Sequence, residues 1–172
     1  MLFRAIALAG GLAGAAGLSQ FPEYAQQYTQ RLAGAVHELD GVVARFDADA
    51  AGLGLDRAAA LDDLRRGSRM GQARAQSMGE VLARHAALSA DLAHLRGAGP
   101  AGLALNGWRF GDPAIAREAW AAFRPALPVS GAGVGFGAVG FMLGYGLSGG
   151  ALAGLGALGR LASRRSRALP GA

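Results

Sequence analysis

The feature that most constrains this sequence is a long run, residues 126–159, that contains no acidic, basic or histidine residue. As a helix this run would extend about 50 Å, farther than the hydrocarbon core of a bilayer, which is roughly 30 Å thick. Two complete spans with a turn would need a longer run, so the sequence predicts one tilted transmembrane helix over 127–150 and a basic cytoplasmic tail over 151–172. A glycine-rich core helix of a soluble protein is the alternative interpretation.

A second apolar segment lies at the N-terminus, where Arg4 is followed by an uncharged stretch over residues 5–22. This stretch is just long enough to cross a bilayer. Small residues over 13–17 also have the spacing that a signal peptidase reads. Residues 1–20 are therefore predicted to form an uncleaved membrane anchor, with a signal peptide as the alternative. Both interpretations export the middle of the chain.

The positive charge of the chain lies at its ends. The acidic residues all fall between Glu23 and Arg124, where arginines balance them, so the formal net charge of +5 comes from the residues outside that region. These are Arg4, Arg160, Arg164, Arg165 and Arg167. Such a distribution does not indicate a nucleic-acid-binding surface on the central region. It does place both ends in the cytoplasm and the middle in the periplasm of a bacterial inner membrane, by the excess of arginine on the cytoplasmic side.

Residues 21–112 have the pattern of two long helices joined by a short one over 56–66. Apolar or aromatic residues recur in the first at alternating steps of three and four: Ala25, Tyr28, Leu32, Ala35, Leu39, Val42 and Phe46. The second, from Arg69 to Arg96, repeats the pattern at Met78, Val81, His85, Leu88, Leu92 and Leu95. Seams of this kind are typical of a coiled coil or a long helix hairpin. Their similar lengths predict an antiparallel hairpin outside the membrane.

Residues 113–126 are predicted to form a further helix that begins at Asp112-Pro113. Aromatic residues of the types enriched at membrane interfaces accompany this helix and the end of the N-terminal segment. They are Phe21, Tyr24, Tyr28, Trp108, Phe110, Trp120 and Phe123. The helix is therefore interpreted as lying along the membrane surface. Capping of the hairpin core by the same aromatics is the alternative.

Two stretches next to the apolar segments resemble a known family. The first comprises Ser19-Gln20-Phe21-Pro22-Glu23-Tyr24, Gln26-Gln27-Tyr28 and Gln30-Arg31-Leu32, and the second runs from Trp120 to Pro128. Both are similar to an uncharacterised family of small bacterial membrane proteins, a domain of unknown function with a membrane segment near each end. The resemblance covers most of the chain. It implies the same topology and implies no activity.

Glycine patterns in the second apolar segment match the residue patterns of known binding and catalytic motifs but lack the structural context that these motifs need. Residues 135–140 and 144–149 fit the dinucleotide-binding pattern, but neither follows a strand and no acidic residue lies downstream. Residues 146–150 spell a nucleophile elbow, yet no acid or histidine follows it. Glycines four apart instead allow close packing of helices, within the chain or between subunits. The candidate packing residues are Gly10, Gly14, Gly140, Gly144, Gly146 and Gly150.

The remaining polar residues predict no catalytic, cofactor-binding or metal site. His37, His85 and His94 are the only histidines, and His85 lies on a helix seam, where a core or interface role is favoured over a ligand. The carboxylate pairs over 47–49 and 62–63 are typical of solvated helix faces. No cofactor and no small-molecule substrate is identified.

The predicted fold is all-α, with two transmembrane helices flanking an extramembrane antiparallel helical hairpin. The function expected of it is that of a non-catalytic, membrane-anchored scaffold or interaction protein of the bacterial cell envelope. Its partners would be the lipid bilayer and an envelope protein or further copies of itself. A small oligomeric component of a transport system or pore is the alternative.

Overall fold

The structure, a computed structural model, describes residues 1–125 and 130–167, with side chains described as far as residue 158. Every regular element in these ranges is a helix, which confirms the all-α prediction for this part of the chain. The helices are α1 (Leu2–Leu18), α2 (Phe21–Gly52), α3 (Arg57–Arg66), α4 (Arg69–Arg96), α5 (Pro100–Leu105), a 3-10 turn (Gly107–Arg109), α6 (Pro113–Ala122) and α7 (Gly131–Arg167).

Short polar side chains set the beginnings of four of these helices, among them α7, where Ser130 accepts a hydrogen bond from the Gly133 backbone N–H. Asp56 accepts a hydrogen bond from the Ala59 backbone N–H at the start of α3, and Ser68 accepts one from Gly71 at the start of α4. Asp112 accepts two in the same way at the start of α6. These bonds satisfy N–H groups that the helices themselves leave without partners. After α2, Gly54 turns the chain with a φ of 71°, a conformation that favours glycine.

The chain divides into two compact units. The terminal unit comprises residues 1–23 and 124–172, and the central unit comprises residues 24–123. Two helical stretches, Leu2–Gly52 and Gly131–Leu158, contain a segment long and apolar enough to cross a membrane. The chain therefore has an apolar helix of spanning length near each end.

In the terminal unit, α1 packs along α7. Helix α7 continues through Gly150 to Arg167, so no break in the helix marks the predicted end of the second span. The predicted beginning of that span, Leu127, lies outside the described residues.

The core of the central unit is built from α2, α4 and α6. Tyr28, Leu32 and Val36 of α2 are buried against Leu88, Leu92 and Leu95 of α4, together with Ile115 and Ala119 of α6. Farther along α2, Asp40 contacts His85, which precedes Leu88 in α4. Contacts therefore advance along α2 while they retreat along α4, the order expected of antiparallel neighbours. A coiled coil stays a prediction.

The predicted seam of α2 drifts from the buried face of the helix. Tyr28 and Leu32 are buried as expected, but the next buried residues are Val36, Val43 and Ala50. The predicted positions Ala35, Leu39, Val42 and Phe46 are only half-buried. An α-helix has 3.6 residues per turn, so a strict seven-residue seam turns by about 20° per heptad relative to a straight partner. The predicted seam accordingly rotates away from the buried face along the helix.

Candidate functional site

The closest approach within the terminal unit is a backbone contact between α1 and α7 at glycines. A Cβ atom placed on Gly14 would overlap the carbonyl oxygen of Gly140, and one placed on Gly140 would overlap that of Gly14. A Cβ on Gly144 would overlap the Gly10 carbonyl oxygen in the same way. We call these four residues the glycine contact. The pairing runs in opposite directions along the two helices, so they are antiparallel.

Two neighbouring side chains complete this contact. The Ser148 side chain occupies the space that a Cβ on Gly10 would need, and a Cβ on Gly11 would lie 2.8 Å from the Phe141 ring. By contrast, Cβ atoms on Gly146 and Gly150 would meet no atom within 4 Å. Four of the six predicted packing glycines therefore meet in one contact, and the other two lie away from it.

Large apolar side chains cover the outside of the same helix pair. The exposed ones in the described part of α1 are Leu2, Phe3, Ile6, Leu8 and Leu12, and those in α7 are Val134, Val139, Met142, Leu143, Tyr145, Leu147, Leu155 and Leu158. Small residues thus lie between the helices and large apolar residues lie outside. That arrangement is the one expected of helices packed together in lipid.

Arg4 lies at one end of the helix pair. A groove of about 410 Å³ is lined there by Arg4 and Ala7 of α1 and by Leu152, Ala153 and Gly156 of α7. Because α7 continues from Gly156 to Arg167, the N-terminal arginine and the C-terminal arginines belong to the same end of this unit. The side chains of residues 159–167 lie outside the described residues.

A polar network fixes the loop before α6 onto the core of the central unit. The buried Tyr28 hydroxyl accepts a hydrogen bond from the Asp112 backbone N–H at 3.2 Å and donates a long one, 3.5 Å, to the Arg109 carbonyl. The Arg109 guanidinium pairs with Asp91 of α4 at 2.8 Å, and Arg84 of α4 pairs with Asp112 at the same distance. Burial is the main cause that raises the pKa of Tyr28 above its ordinary value. The phenol therefore stays neutral and acts through these hydrogen bonds.

Asp112 makes more of the hydrogen bonds in this network than Tyr28 or Arg109 does. Partial burial by itself would raise the pKa of its carboxyl group. The hydrogen bonds from the Ile115 N–H, the Arg84 guanidinium and the Ala114 N–H outweigh that effect and hold the pKa below its usual range. The side chain is 10 % exposed and remains ionised at neutral pH. A charged helix cap and an ion pair thus meet in one residue.

The histidines named from the sequence do not come together in one site, whereas one carboxylate of each pair, Asp49 and Asp63, lines a common cavity. His85 Nε2 lies 2.6 Å from an Asp40 carboxylate oxygen, and His94 Nδ1 lies 2.7 Å from the Ala90 carbonyl oxygen of its own helix. His37 is exposed. Asp47 pairs with Arg57 through two hydrogen bonds, and Asp62 pairs with Arg65. In the described part of the chain, no three histidine or carboxylate side chains come together as metal ligands would.

A cavity of about 640 Å³ lies where α2, α3 and α4 meet at one end of the central unit. Its apolar lining includes Phe46, Leu53 and Met78. Its charged lining residues are Arg45, Asp49, Asp63 and Arg74. The sequence analysis did not predict this cavity, because it depends on how three helices diverge and no local pattern encodes that divergence.

Residues 2–161 match a family described as a protein of unknown function, DUF2937. The chain belongs to this family. The match covers α1, the whole central unit and α7 as far as residue 161, so the DUF2937 family is defined over residues of both units. This agrees with the resemblance found in the sequence. No curated protein and no solved structure matches the chain.

Proposed function

We propose that this DUF2937 protein is a non-catalytic, membrane-anchored helical scaffold or interaction protein of the bacterial cell envelope. The observation that carries the proposal is the α1–α7 pair, which places glycine backbones inside and large apolar side chains outside. In water such a surface would expose apolar area with no compensation, whereas lipid tails solvate it. The pair is thus suited to anchoring.

The distribution of arginines supports an orientation for this anchor. Arg4 and the helix that leads to Arg160, Arg164, Arg165 and Arg167 share one end of the terminal unit. Positive residues are retained on the cytoplasmic side of bacterial inner membranes. In this proposal both termini are cytoplasmic, and residues 21–125 lie in the periplasm.

The surface proposed for binding belongs to the central unit. Several of its charged side chains form ion pairs and helix caps, which supports a structural role for them. The cavity between α2, α3 and α4 is a concave surface of this unit, with apolar walls and charges of both signs. A groove of that character suits an amphipathic segment of another envelope protein.

The orientation can be tested directly because the chain contains no cysteine. We would introduce Ala58→Cys at an exposed position of α3, and separately Ser163→Cys near the C-terminus, and treat intact cells with a membrane-impermeant maleimide. The expected result is labelling of the first variant from outside and of the second only after lysis. Protection of the first variant until lysis would place the central unit in the cytoplasm and contradict the proposed orientation.

Binding can be tested with a photoreactive amino acid at the cavity. Leu53 lines the cavity and is 75 % exposed, and Leu105 of α5 is a matched control at 74 %. Illumination of intact cells should give a defined adduct with another envelope protein from position 53 but not from position 105. Absence of any protein adduct at position 53 contradicts an interaction role. Adducts only with further copies of the chain, together with solute leakage from reconstituted vesicles, would favour the pore alternative.

A further inference from the structure

Three aromatic rings of the central unit form one cluster where α2 begins and α6 ends. The ring centroids of Tyr24 and Trp120 are 6.1 Å apart, as are those of Tyr24 and Phe123. Trp120 and Phe123 are stacked, with centroids 5.9 Å apart and an interplanar angle of 16°. Tyr24 meets both rings edge-on. We call these residues the aromatic triad.

The triad holds the Trp120 indole outside the core. Helix α6 buries Ile115 and Ala119, which are 4 % and 0 % exposed, whereas Trp120 is 71 % exposed. A tryptophan side chain offers roughly 150–250 Å² of largely apolar surface, so leaving it in water is unfavourable. Contacts with two other rings fix it in this position. These ring contacts therefore hold the indole in one place, where another apolar surface can cover it.

The chain on both sides of the triad indicates what that medium is. Only residues 19–23 separate Tyr24 from the apolar helix α1, and only residues 124–130 separate Phe123 from α7. In the terminal unit, the rings of Phe21 and Phe136 pair at 5.3 Å, at the end of the α1–α7 pair opposite to Arg4. Aromatic residues thus follow α1 and precede α7 in the chain, in each case at the end of the apolar helix that is far from its arginines. Tryptophan and tyrosine are enriched at that level of a membrane because one end of each ring system is apolar and the other is polar.

We propose that the aromatic triad is a docking surface for the lipid headgroup region, with the Trp120 indole inserted at the boundary between headgroups and acyl chains. The Tyr24 hydroxyl and the indole N–H then remain hydrated while the ring faces are covered by lipid. This inference rests on the proposed membrane anchoring. It adds a second site at which the protein meets the bilayer and excludes Trp120 from the surface that binds a protein partner.

The chain has two tryptophans, so fluorescence can test this in the full-length protein. In the Trp108→Phe variant, Trp120 is the single reporter. In a variant that lacks both tryptophans (Trp108→Phe, Trp120→Phe), Leu53→Trp reports from a similarly exposed site just beyond the far end of α2. Each variant is reconstituted into phosphatidylcholine vesicles with lipids brominated either near the headgroup or near the acyl-chain end. Flotation of the vesicles on a density gradient measures anchoring independently.

For Trp120 we expect a blue-shifted emission that headgroup-proximal bromine quenches by roughly half or more, and that bromine at the chain end quenches less. The reporter at position 53 should respond to aqueous acrylamide and not to brominated lipid. Four other outcomes are informative. If the vesicles carry the protein on flotation but Trp120 is not quenched, the inference is overturned and the anchoring is left intact.

If the Trp120 emission is blue-shifted but not quenched, the triad is covered by a second protein copy. If the reporters at positions 120 and 53 are quenched equally, the helix lies flat on the membrane. Either result overturns the inference about the triad. Failure to float contradicts the anchoring itself.

Discussion

At the scale of single residues, Asp112 joins a helix cap to an ion pair. Its carboxylate accepts hydrogen bonds from the Ala114 and Ile115 N–H groups and from Arg84, and its own backbone N–H donates to Tyr28. Hydrogen bonds to charged groups contribute about 1.5–3 kcal/mol each, more than those between neutral groups. Because one side chain serves α4 and α6 together, a change at this position affects the attachment of α6 to the core.

The lowered pKa of Asp112 gives its contribution a definite pH dependence. The folded state holds the Asp112 proton less tightly than the unfolded chain, whose aspartate pKa is about 3.9. Its stabilising contribution is therefore fully present above that pH and is lost as the pH falls through the lower folded-state pKa. We expect Asp112→Asn to cost about 1–2 kcal/mol near pH 7 and to approach the wild-type stability in strong acid. Thermal unfolding in detergent, followed by circular dichroism, measures both values.

The control for this measurement is Asp56→Asn. Asp56 also caps a helix, but from an exposed position and with no described ion pair. Asparagine caps helices about as well as aspartate, so the control should stay within about 0.5 kcal/mol of wild type at either pH. A gap between Asp112→Asn and wild type that does not close in acid would show that the charge of Asp112 is not what stabilises the fold.

Sequence patterns identified Asp112 as a helix start and missed its ion pair. The Asp-Pro pair before an apolar run is a local signal that can be read directly from the sequence. The approach of Arg84 depends on α4 lying against the loop after α5, which is a tertiary contact between residues distant in sequence. The same limit applies to Asp40 and His85. The sequence placed His85 on a seam but could not supply its partner.

At the scale of elements, the buried stripe of α2 determines the stability of the central unit. Leu32 is 0 % exposed within the core, whereas Leu53 is 75 % exposed just beyond the end of the same helix. Leu32→Ala should lower the free energy of unfolding by about 2–5 kcal/mol, because it removes buried methyl groups and leaves a cavity. Leu53→Ala should change it by less than about 0.5 kcal/mol. Equal effects in chemical denaturation would contradict the assigned core.

The packing of α1 against α7 can be tested by a disulfide. A Cβ on Gly137 would lie 3.5 Å from the Ser19 Cβ, at the short end of the range for disulfides, which is about 3.5–4.5 Å. We expect Ser19→Cys with Gly137→Cys to crosslink upon mild oxidation. The matched pair, Ser19→Cys with Gly135→Cys, should not, since a Cβ on Gly135 meets no atom within 4 Å. Gel mobility after proteolysis between the helices distinguishes the two.

The same crosslink reports on the glycine contact. Gly14→Leu places a side chain against the Gly140 backbone, and overpacking of this kind costs about 1–3 kcal/mol or more. The yield of the 19–137 crosslink should therefore fall in Gly14→Leu and remain unchanged in Gly150→Leu, whose side chain enters open space. An unchanged yield in both variants would mean that the contact does not hold the helices together.

Four-residue glycine spacing predicted that helices pack closely, but it could not choose among the pairs. Gly140 with Gly144 and Gly146 with Gly150 have the same spacing in the same apolar helix, yet they face different directions around it. Which of these two glycine pairs packs against α1 depends on the side chains beside each pair. Ser148 and Phe141 fit against Gly10 and Gly11, which fixes the rotation of α7 about its axis.

At the scale of the whole molecule, charge is distributed unevenly along the chain. Acidic residues and balancing arginines occupy the central region, while the apolar helices carry the excess positive charge at their outer ends. Composition alone gives only the net value of +5 and would suggest an acidic partner. The positions of the arginines instead suggest an orientation signal, since the packing of α1 along α7 brings Arg4 to the end that leads to Arg167.

This interpretation predicts that orientation depends on where arginines are removed and not on how many. Replacing Arg160, Arg164, Arg165 and Arg167 with glutamine leaves Arg4 as the only arginine outside the central region, so the fraction of molecules with Ala58→Cys accessible from outside should fall. Replacing four exposed arginines of the central unit, Arg66, Arg69, Arg96 and Arg117, changes the net charge equally and should not lower that fraction. Positive residues hold a flanking segment in the cytoplasm only when they lie close to the end of a membrane helix. Equal losses of accessibility in the two variants would show that net charge, rather than position, governs insertion.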